Sequence, residues 1–415
     1  MQKKMLVLLA GVGLISAGCG SASAGASTQA KTTTITFDAM EYSSASLKQF
    51  PTFVKEFEAK NPDIHVDVRV INWSLGHQVI NTEIGGGNPP DVAIIGTRWL
   101  PAYAQENLLQ PLTKYMTPQY AGEFYSGALD SIQYNGIQYS LPEAMSVRLL
   151  IYNKKLFREA GIASPPTTWT QLAQDAIAIH NKTGESGYGL VGSQVETSLD
   201  YWYPMWGFGG HIVSGNKGML TSSADVNALK FLVNLIHNHG TEPSVTASTR
   251  AGLETEFSAG KIGMMIDGPW LPAEALAAHE DIGITSVPAQ SGVTPRNVAI
   301  TDSMVMFKNA NEAASWKFMQ FMFTKGVRTQ FDLTEGMLPT MKMVGAESQF
   351  KNSSVFSPYL KALAGNTRHE PVIRHFDEVS LDVTNAVQGA YSGAVSPAAA
   401  LQQANQKIDQ ALQNQ

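Results

Sequence analysis

The chain has 415 residues, of which 29 are Lys or Arg and 35 are Asp or Glu, so its formal net charge is −6. This acidic balance, with no block of Lys and Arg, argues against a nucleic-acid partner. One cysteine excludes a disulfide framework and a cysteine-ligated zinc cluster. A single hydrophobic core stops growing near about 250–300 residues, so the length predicts two lobes or domains.

The first residues have the layout of a secretory signal peptide. Lys3 and Lys4 precede an apolar run over 5–15. A helix needs about 20 apolar residues to cross a bilayer, so this run is too short to span one and fits the core of an export signal. We therefore predict a signal peptide over 1–18 and an exported protein.

The apolar run is followed by small residues and then by Cys19, the only cysteine in the chain. This arrangement resembles a bacterial lipobox, in which the cysteine thiol is lipidated. Residues 20–33 are small, polar and without pattern, as in a flexible tether. We predict lipidation of Cys19, a tether that completes 19–33, and anchoring at the outer face of the cytoplasmic membrane or a periplasmic location. A signal peptide with an incidental cysteine is the alternative.

The rest of the chain predicts alternating strands and helices. Strict alternation of apolar and polar residues over 64–70 indicates a half-buried strand, and Asn135-Gly136 indicates a hairpin turn. Thr168 with Gln171 forms a capping box at a helix start. Further strands are predicted at 35–37, 91–95, 149–152, 262–266 and 282–287, and further helices with Pro51 near a first turn, from Ser223 to a stop at Gly240, and after a cap at Asn311. This order favours an α/β fold with largely parallel sheets.

Motifs for cofactors and catalysis are weak. Gly187–Gly192 matches the glycine spacing of a dinucleotide site, but no strand leads into it and no helix follows directly. His237 and His239 are two residues apart on a predicted helix and point in different directions, so they cannot chelate one ion. We predict no cofactor, no metal site and no catalytic residue. A carboxylate pair for glycoside hydrolysis remains open, since such a pair depends on spatial proximity.

Aromatic residues cluster after predicted strands. Five rings occur within residues 201–208, and Trp73, Trp99 and Trp270 follow apolar strands or begin loops. An aromatic plane can take the apolar face of a sugar ring, while nearby polar groups take its hydroxyls. We expect at least half of the five rings to fill a core, although Pro204 and the neighbouring glycines argue against a fully buried helix.

Several segments, in order along the chain, resemble extracellular solute-binding protein family 1. These proteins are the substrate receptors of bacterial sugar ABC importers and include maltose-binding protein. The segments are Phe53-Val54-Lys55-Glu56-Phe57, Asn61-Pro62-Asp63-Ile64, Pro90-Asp91-Val92-Ala93, Leu109-Gln110-Pro111-Leu112, Leu149-Leu150-Ile151-Tyr152-Asn153-Lys154, Ala160-Gly161-Ile162, Pro166-Thr167-Thr168-Trp169, Phe257-Ser258-Ala259-Gly260-Lys261 and Met264-Met265-Ile266-Asp267-Gly268-Pro269-Trp270.

The resemblance implies a two-lobed α/β fold of the type II periplasmic-binding-protein kind, with a hinge and a ligand cleft between the lobes. We expect one lobe from 34–142 plus 289–345 and the other from 143–288 plus 346–415. The implied function is capture of a sugar or oligosaccharide by hinge closure and its delivery to ABC permease subunits. It also implies a monomer with no enzymatic activity.

Ligands in such sheets bind beyond the carboxyl ends of the strands. On that rule we predict cleft-facing residues after the strands and at the crossings between lobes. The predicted ligand contacts are Glu41, Tyr42, Trp73, Arg98, Glu143, Tyr201, Trp206, Trp270, Asp302 and Arg374. Trp206 and Trp270 are expected to stack on sugar faces.

Two other classes of function are alternatives. One is an exported, lipid-anchored glycoside hydrolase, which needs two carboxylates about 5–9.5 Å apart in the cleft. The other keeps the receptor role for a peptide, polyamine or metal. A cleft that is poor in aromatic rings and dominated by one sign of charge would favour the latter.

Overall fold

The structure, a computed structural model, describes residues 32–193, 196–308, 311–363, 367–371, 373 and 375–413. The predicted signal peptide, Cys19 and Arg374 lie outside these residues, as does the predicted tether up to residue 31. Thr33, the last tether residue, already begins the first strand. Among the helices of the described residues, none combines the length and the apolar character needed to cross a bilayer.

Strands and helices alternate along the described chain. The strands are β1 (Thr33–Glu41), β2 (Ile64–Asn72), β3 (Val92–Gly96), β4 (Gln133–Tyr134), β5 (Ile137–Gln138), β6 (Ser140–Asn153), β7 (Ser186–Tyr188), β8 (Val213–Ser214), β9 (Lys217–Gly218), β10 (Ile262–Asp267), β11 (Ile282–Thr285), β12 (Asn297–Met306) and β13 (Thr367–His369). The helices are α1 (Ser46–Lys60), α2 (Trp73–Gly85), α3 (Leu100–Gln105), α4 (Pro118–Ala121), α5 (Ser126–Asp130), α6 (Lys154–Ala160), α7 (Trp169–Thr183), α8 (Thr197–Gly207), α9 (Ser223–His237), α10 (Arg250–Ser258), α11 (Trp270–Ala277), α12 (Glu312–Met322), α13 (Lys325–Thr334), α14 (Lys342–Gly345), α15 (Ser348–Lys351), α16 (Phe356–Leu363), α17 (Phe376–Tyr391) and α18 (Pro397–Gln413).

The main sheet has the strand order β2-β1-β3-β12-β6-β10-β7, with β11 also on β6 and β13 on β12. β1 pairs with β2 and β3 in parallel, whereas β12 is antiparallel to both β3 and β6. β10 and β11 are also antiparallel to β6. The sheet is therefore mixed, and the expectation of largely parallel sheets is wrong, because the long strands β6 and β12 run back through its centre.

Two large apolar clusters divide the chain into two lobes. The first core draws its residues from within 35–149 and 299–359, and the second from within 150–298 and 376–412. A smaller third cluster, within 151–282, belongs to the second lobe. The change of core occurs inside β6, at Leu149 and Leu150, and inside β12, at Val298 and Ala299. The lobe limits predicted from the sequence stay a prediction. In the structure, the chain passes from one core to the other somewhat later than at those limits.

Several local predictions are confirmed. β2 alternates as expected, and Asn135 and Gly136 have φ values of 50° and 73° in the turn between β4 and β5. The Thr168 hydroxyl and the Gln171 side chain form the capping box of α7. Asn311 holds the position before α12, as predicted, but its side chain does not cap that helix, so this prediction is wrong in part. Its amide donates to Asp91 Oδ1 at 3.1 Å instead.

Two helix predictions are wrong in detail. Pro51 lies inside α1, because that helix begins five residues earlier, at Ser46. Every residue of α8 is buried, including Pro204. The expectation that Pro204 prevents a fully buried helix fails because α9 and α17 both pack against α8.

Candidate ligand-binding site

The first lobe brings four predicted contacts to one edge of the sheet. β1 ends at Glu41 and is followed by Tyr42, β2 runs directly into α2 at Trp73, and β3 is followed by a helical turn that carries Arg98. These three strands are parallel, so their carboxyl ends lie at the same edge. The strand-end rule therefore placed these residues as neighbours from the sequence.

The crossing strands add two carboxyl groups to this edge. The Tyr42 hydroxyl lies 2.8 Å from Glu143 Oε2 on β6 and 3.2 Å from Asp302 Oδ2 on β12. A phenol has one proton and can donate to only one of them at a time. Burial, the neighbouring charge of Glu143 and the opposing charge of Arg98 leave the pKa of Asp302 raised to about 7. Asp302 can therefore both donate and accept hydrogen bonds near neutral pH.

Glu143 is held from behind by a fully buried arginine. Arg328 Nη1 lies 3.1 Å from Glu143 Oε1, and Arg328 Nη2 lies 2.6 Å from Asp332 Oδ1. Burial raises the pKa of Glu143, although the charge of Arg328 opposes this. Glu143 is completely shielded from solvent. Its contribution to the site is therefore to orient Tyr42.

Aromatic rings line the outer part of this edge. The Trp73 ring meets Tyr42 edge-on at a centroid distance of 5.5 Å and lies 5.9 Å from the Trp99 ring. Trp99 is in turn stacked on His77 at 4.6 Å. Tyr42 and Trp73 are half-buried. Glu41, also half-buried, accepts a hydrogen bond from Asn72 Nδ2 at 3.1 Å.

The two lobes touch each other across this edge. Arg98 lies 3.9 Å from Glu370 Oε2 and 3.7 Å from Asp377 Oδ1, and Asp377 is in the first turn of α17 in the second lobe. His77 Nδ1 lies 2.5 Å from Asp377 Oδ2. Despite its burial, the pKa of Asp377 is lowered by His77 and Arg98. These contacts form a clasp between the lobes, which we call the His77–Asp377 clasp.

Trp270 is the second-lobe residue that best fits a ligand platform. It is half-buried and packs against both the first core and the third cluster. Its indole Nε1 donates to Glu254 Oε1 at 2.8 Å, and the Arg148 guanidinium lies 4.5 Å from its ring centroid. A Cβ atom at Gly268 would come within 2.3 Å of the ring, so the glycine in this motif is needed for close packing.

The structure places the other two predicted second-lobe rings elsewhere. Tyr201 is fully buried in the second core, and its hydroxyl donates to the Asp225 carbonyl at 3.2 Å. Trp206, only 6% exposed, packs in the same core beside Trp202. Neither is brought together with the residues at the strand ends, so we leave both out of the proposed site.

A charged network fixes the end of β10 next to Trp270. Arg250 Nη2 donates to Asp200 Oδ1 at 2.8 Å, Arg250 Nε donates to Glu196 Oε2 at 2.7 Å, and Arg250 Nη1 lies 3.4 Å from Asp267 Oδ2. Burial works against ionisation of Glu196, but the charges of Arg250 and Arg148 outweigh it and lower its pKa. One arginine thus ties α8, α10 and β10 together.

Sequence reasoning missed several groups around the cleft. They are His77, Arg148, Glu254, Glu370 and Asp377. Arg148 carried a usable signal, because it is a charged residue inside an apolar strand stretch over 147–151. The others come together only through the fold. No group of three or more His, Cys, Asp or Glu in the described part of the chain could hold a metal ion.

Known proteins are similar to this chain in sequence. A family model of bacterial extracellular solute-binding proteins matches residues 43–329. A Brucella abortus chain described only as a binding protein is 35% identical over 378 residues, covering 90% of this chain and 92% of that one. The maltotriose-binding protein of Pyrococcus abyssi is 24% identical over 328 residues, which is 76% of this chain and 69% of that one.

Solved structures share the fold. An ABC transporter solute-binding protein from Thermotoga lettingae, bound with α-D-tagatose, matches with a TM-score of 0.82 at 22% identity. The match covers 92% of this chain and all of the other. The two-lobed α/β fold expected from the sequence is thereby confirmed. The chain belongs to the bacterial extracellular solute-binding protein family.

Proposed function

We propose that this chain is the substrate-binding component of a carbohydrate ABC import system. It captures a sugar or oligosaccharide between its lobes and delivers it to a permease in the cytoplasmic membrane. The observation that carries the proposal is the position of Trp270, which packs against the cores of both lobes and is stacked on Arg148 of the crossing strand β6. Relatives named for sugar ligands support it.

The chemistry of the cleft suits an uncharged polyhydroxy ligand. Trp73 and Trp270 offer partly exposed ring surface for the apolar face of a sugar. Asp302 and Glu370 offer hydrogen-bonding groups for hydroxyls, and Arg98 offers donors. Arg374, predicted as a contact, lies outside the described residues and stays a prediction.

The proposed mechanism is hinge closure about the crossing strands. A ligand that contacts both lobes favours the closed state, because only differential affinity for the two states can shift their equilibrium. The hinge passes through β6 and β12, where Asp302 pairs with Ala144 next to an irregularity in register. A ligand at Asp302 therefore lies at the axis of the motion.

The cellular setting is part of the proposal. Membership of an extracellular family agrees with export. We propose that the signal peptide is removed, that Cys19 is lipidated, and that residues 20–32 tether a monomeric receptor to the outer face of the membrane. Two acyl chains give stable anchoring, whereas one gives only marginal binding.

We further propose that the chain binds its ligand without altering it. At the strand ends, the carboxyl groups of Glu143 and Asp302 share the Tyr42 hydroxyl. Glu143 is fully buried and paired with Arg328, so it cannot reach a glycosidic bond. This geometry gives no support to the glycoside hydrolase alternative.

The test is a thermal-shift screen of the purified protein. The panel contains maltotriose, diacetylchitobiose, D-tagatose and mannitol, with spermidine and a tripeptide as non-sugar controls. A ligand at about 100 times its Kd stabilises the folded form by about 2.7 kcal/mol, so a sugar that binds should raise the Tm clearly. Stabilisation by spermidine or the peptide alone would contradict the carbohydrate proposal. Sugar that is recovered cleaved would support the hydrolase instead.

A further inference from the structure

Three buried side chains around the end of β10 carry polar atoms without a partner. They are Arg148 on β6, Tyr203 on α8 and Asp267 at the end of β10, which are 5%, 2% and 0% exposed. Arg148 Nε and Nη1, Tyr203 Oη and Asp267 Oδ2 have no hydrogen-bond partner among the described residues. Buried polar groups are nearly always paired in folded proteins, so such a concentration calls for an explanation.

These groups are neighbours. Arg148 Nη1 lies 3.9 Å from Asp267 Oδ1, too far for a hydrogen bond. Tyr203 lies three residues after Asp200 on α8, so both side chains share one helix face. Asp200 bonds Arg250, whose Nη1 lies 3.4 Å from Asp267 Oδ2. Arg148 also stacks on Trp270. Stacking uses the face of the guanidinium and leaves its in-plane N–H groups free to donate.

A neighbouring buried arginine does not share this shortage of partners. Arg250, equally buried and close to the same Asp267, makes hydrogen bonds to Glu196 and Asp200. Asp267 Oδ2 faces Arg250 Nη1 at 3.4 Å but makes no hydrogen bond to it. The fold therefore gives Arg250 hydrogen-bond partners and leaves Arg148 Nε and Nη1 without one among the described residues.

We propose that Arg148, Tyr203 and Asp267 form a polar subsite beneath Trp270 that receives an oxygen-bearing substituent of the bound sugar. Arg148 and Tyr203 donate hydrogen bonds to the oxygen of this substituent, and Asp267 accepts a hydrogen bond from its hydroxyl group. The inference rests on the proposed carbohydrate function and adds a specificity rule. The sugar unit stacked on Trp270 carries a hydroxyl or hydroxymethyl group toward the second lobe, and an analogue without that oxygen leaves the buried groups unpaired and is rejected.

Tyr203→Phe is the sharpest test, because it removes only an unpaired hydroxyl. The Tm of the ligand-free protein should not fall, since no hydrogen bond is lost. Binding of maltotriose and of diacetylchitobiose is measured by isothermal titration calorimetry. The sugar that binds the unaltered protein should bind Tyr203→Phe about 3- to 10-fold more weakly. Tyr391→Phe is the matched control: its buried hydroxyl is also unpaired among the described residues but lies on α17, and its affinity should be unchanged.

Arg148→Met keeps the bulk of the side chain and removes both free donors. It should weaken binding by about 10- to 100-fold, the range for hydrogen bonds from a charged group. If Tyr203→Phe lowers the ligand-free Tm by several degrees, its hydroxyl is paired and the subsite is wrong whatever the ligand. If both variants keep the affinity of the unaltered chain, the subsite is wrong and the receptor role stands. If neither sugar binds the unaltered chain, the carbohydrate function itself fails for these ligands.

Discussion

The buried ion pairs of Arg328 lead to the most quantitative prediction. Arg328 is completely buried and reaches both Glu143 and Asp332, while its guanidinium lies 4.5 Å from the Phe331 ring centroid. Arg328→Met keeps most of the volume and removes the only positive charge that the described residues place within 4 Å of these two carboxyl groups. Breaking a buried ion pair by removing one partner costs about 3–5 kcal/mol.

The loss should depend on pH in a defined direction. Burial raises the pKa of Asp332 to about 7, with Arg328 opposing the rise. Without Arg328 the pKa of both carboxyl groups rises further. A carboxyl group whose pKa is raised in the folded state favours folding most at low pH, and this contribution is lost as the pH rises through the folded-state value. The variant should therefore be closest to the unaltered protein near pH 5.5 and furthest from it near pH 8.

Urea denaturation of the ligand-free protein at pH 5.5 and pH 8 measures both effects. Arg158→Met is the control, because Arg158 bonds Asp281 at 2.8 Å but is 64% exposed, and exposed pairs contribute little. A loss below about 1 kcal/mol for Arg328→Met at pH 8 would contradict the assignment of a buried ion pair. A loss that grows toward pH 5.5 would refute the pH reasoning.

Three further predictions concern the clasp, the ring platform and a helix cap. Asp377→Asn removes the charge that faces His77, so the ligand-free protein should become more open and show a larger radius of gyration in X-ray scattering. An unchanged radius of gyration would show that the His77–Asp377 clasp does not hold the lobes together. The pKa of Glu254 is raised to about 8, first by burial, so ionisation of this side chain destabilises the folded protein above that pH. Glu254→Gln can still accept the hydrogen bond from Trp270 and should match the Tm of the unaltered protein at pH 5 and exceed it at pH 9. Equal Tm values at both pH values would contradict this. Thr168→Ala removes a capping box and should cost about 1 kcal/mol in urea denaturation, and a neutral result would count against the cap.

The strand-end residues could be found from sequence because their position follows from local rules. Tyr42, Trp73 and Arg98 each stand directly after a strand whose apolar pattern is readable, and parallel strands end at a common edge. The resemblance to a family supplied the crossings and thereby Glu143 and Asp302. For these reasons, the half of the site that belongs to the first lobe could be predicted from the sequence.

The half that belongs to the second lobe was harder to predict, because the presence of aromatic residues in a segment does not show whether they pack in a core or face a ligand. Tyr201 and Trp206 belong to a helix covered on two sides, whereas Trp270 begins a helix at a lobe boundary. Glu370 and Asp377 come to the cleft from the last quarter of the chain. Their arrival depends on how the second lobe packs, and no short-range pattern encodes it.

The shared strands β6 and β12 constrain how the protein could be divided. Each lobe is assembled from two separate stretches of chain, and each shared strand contributes one of its ends to one lobe and the other end to its neighbour. A single backbone cut cannot release a complete lobe, and a gene truncated at any one point would leave a half lacking part of its own interior. Engineering an isolated lobe would require rejoining distant segments and replacing both shared strands.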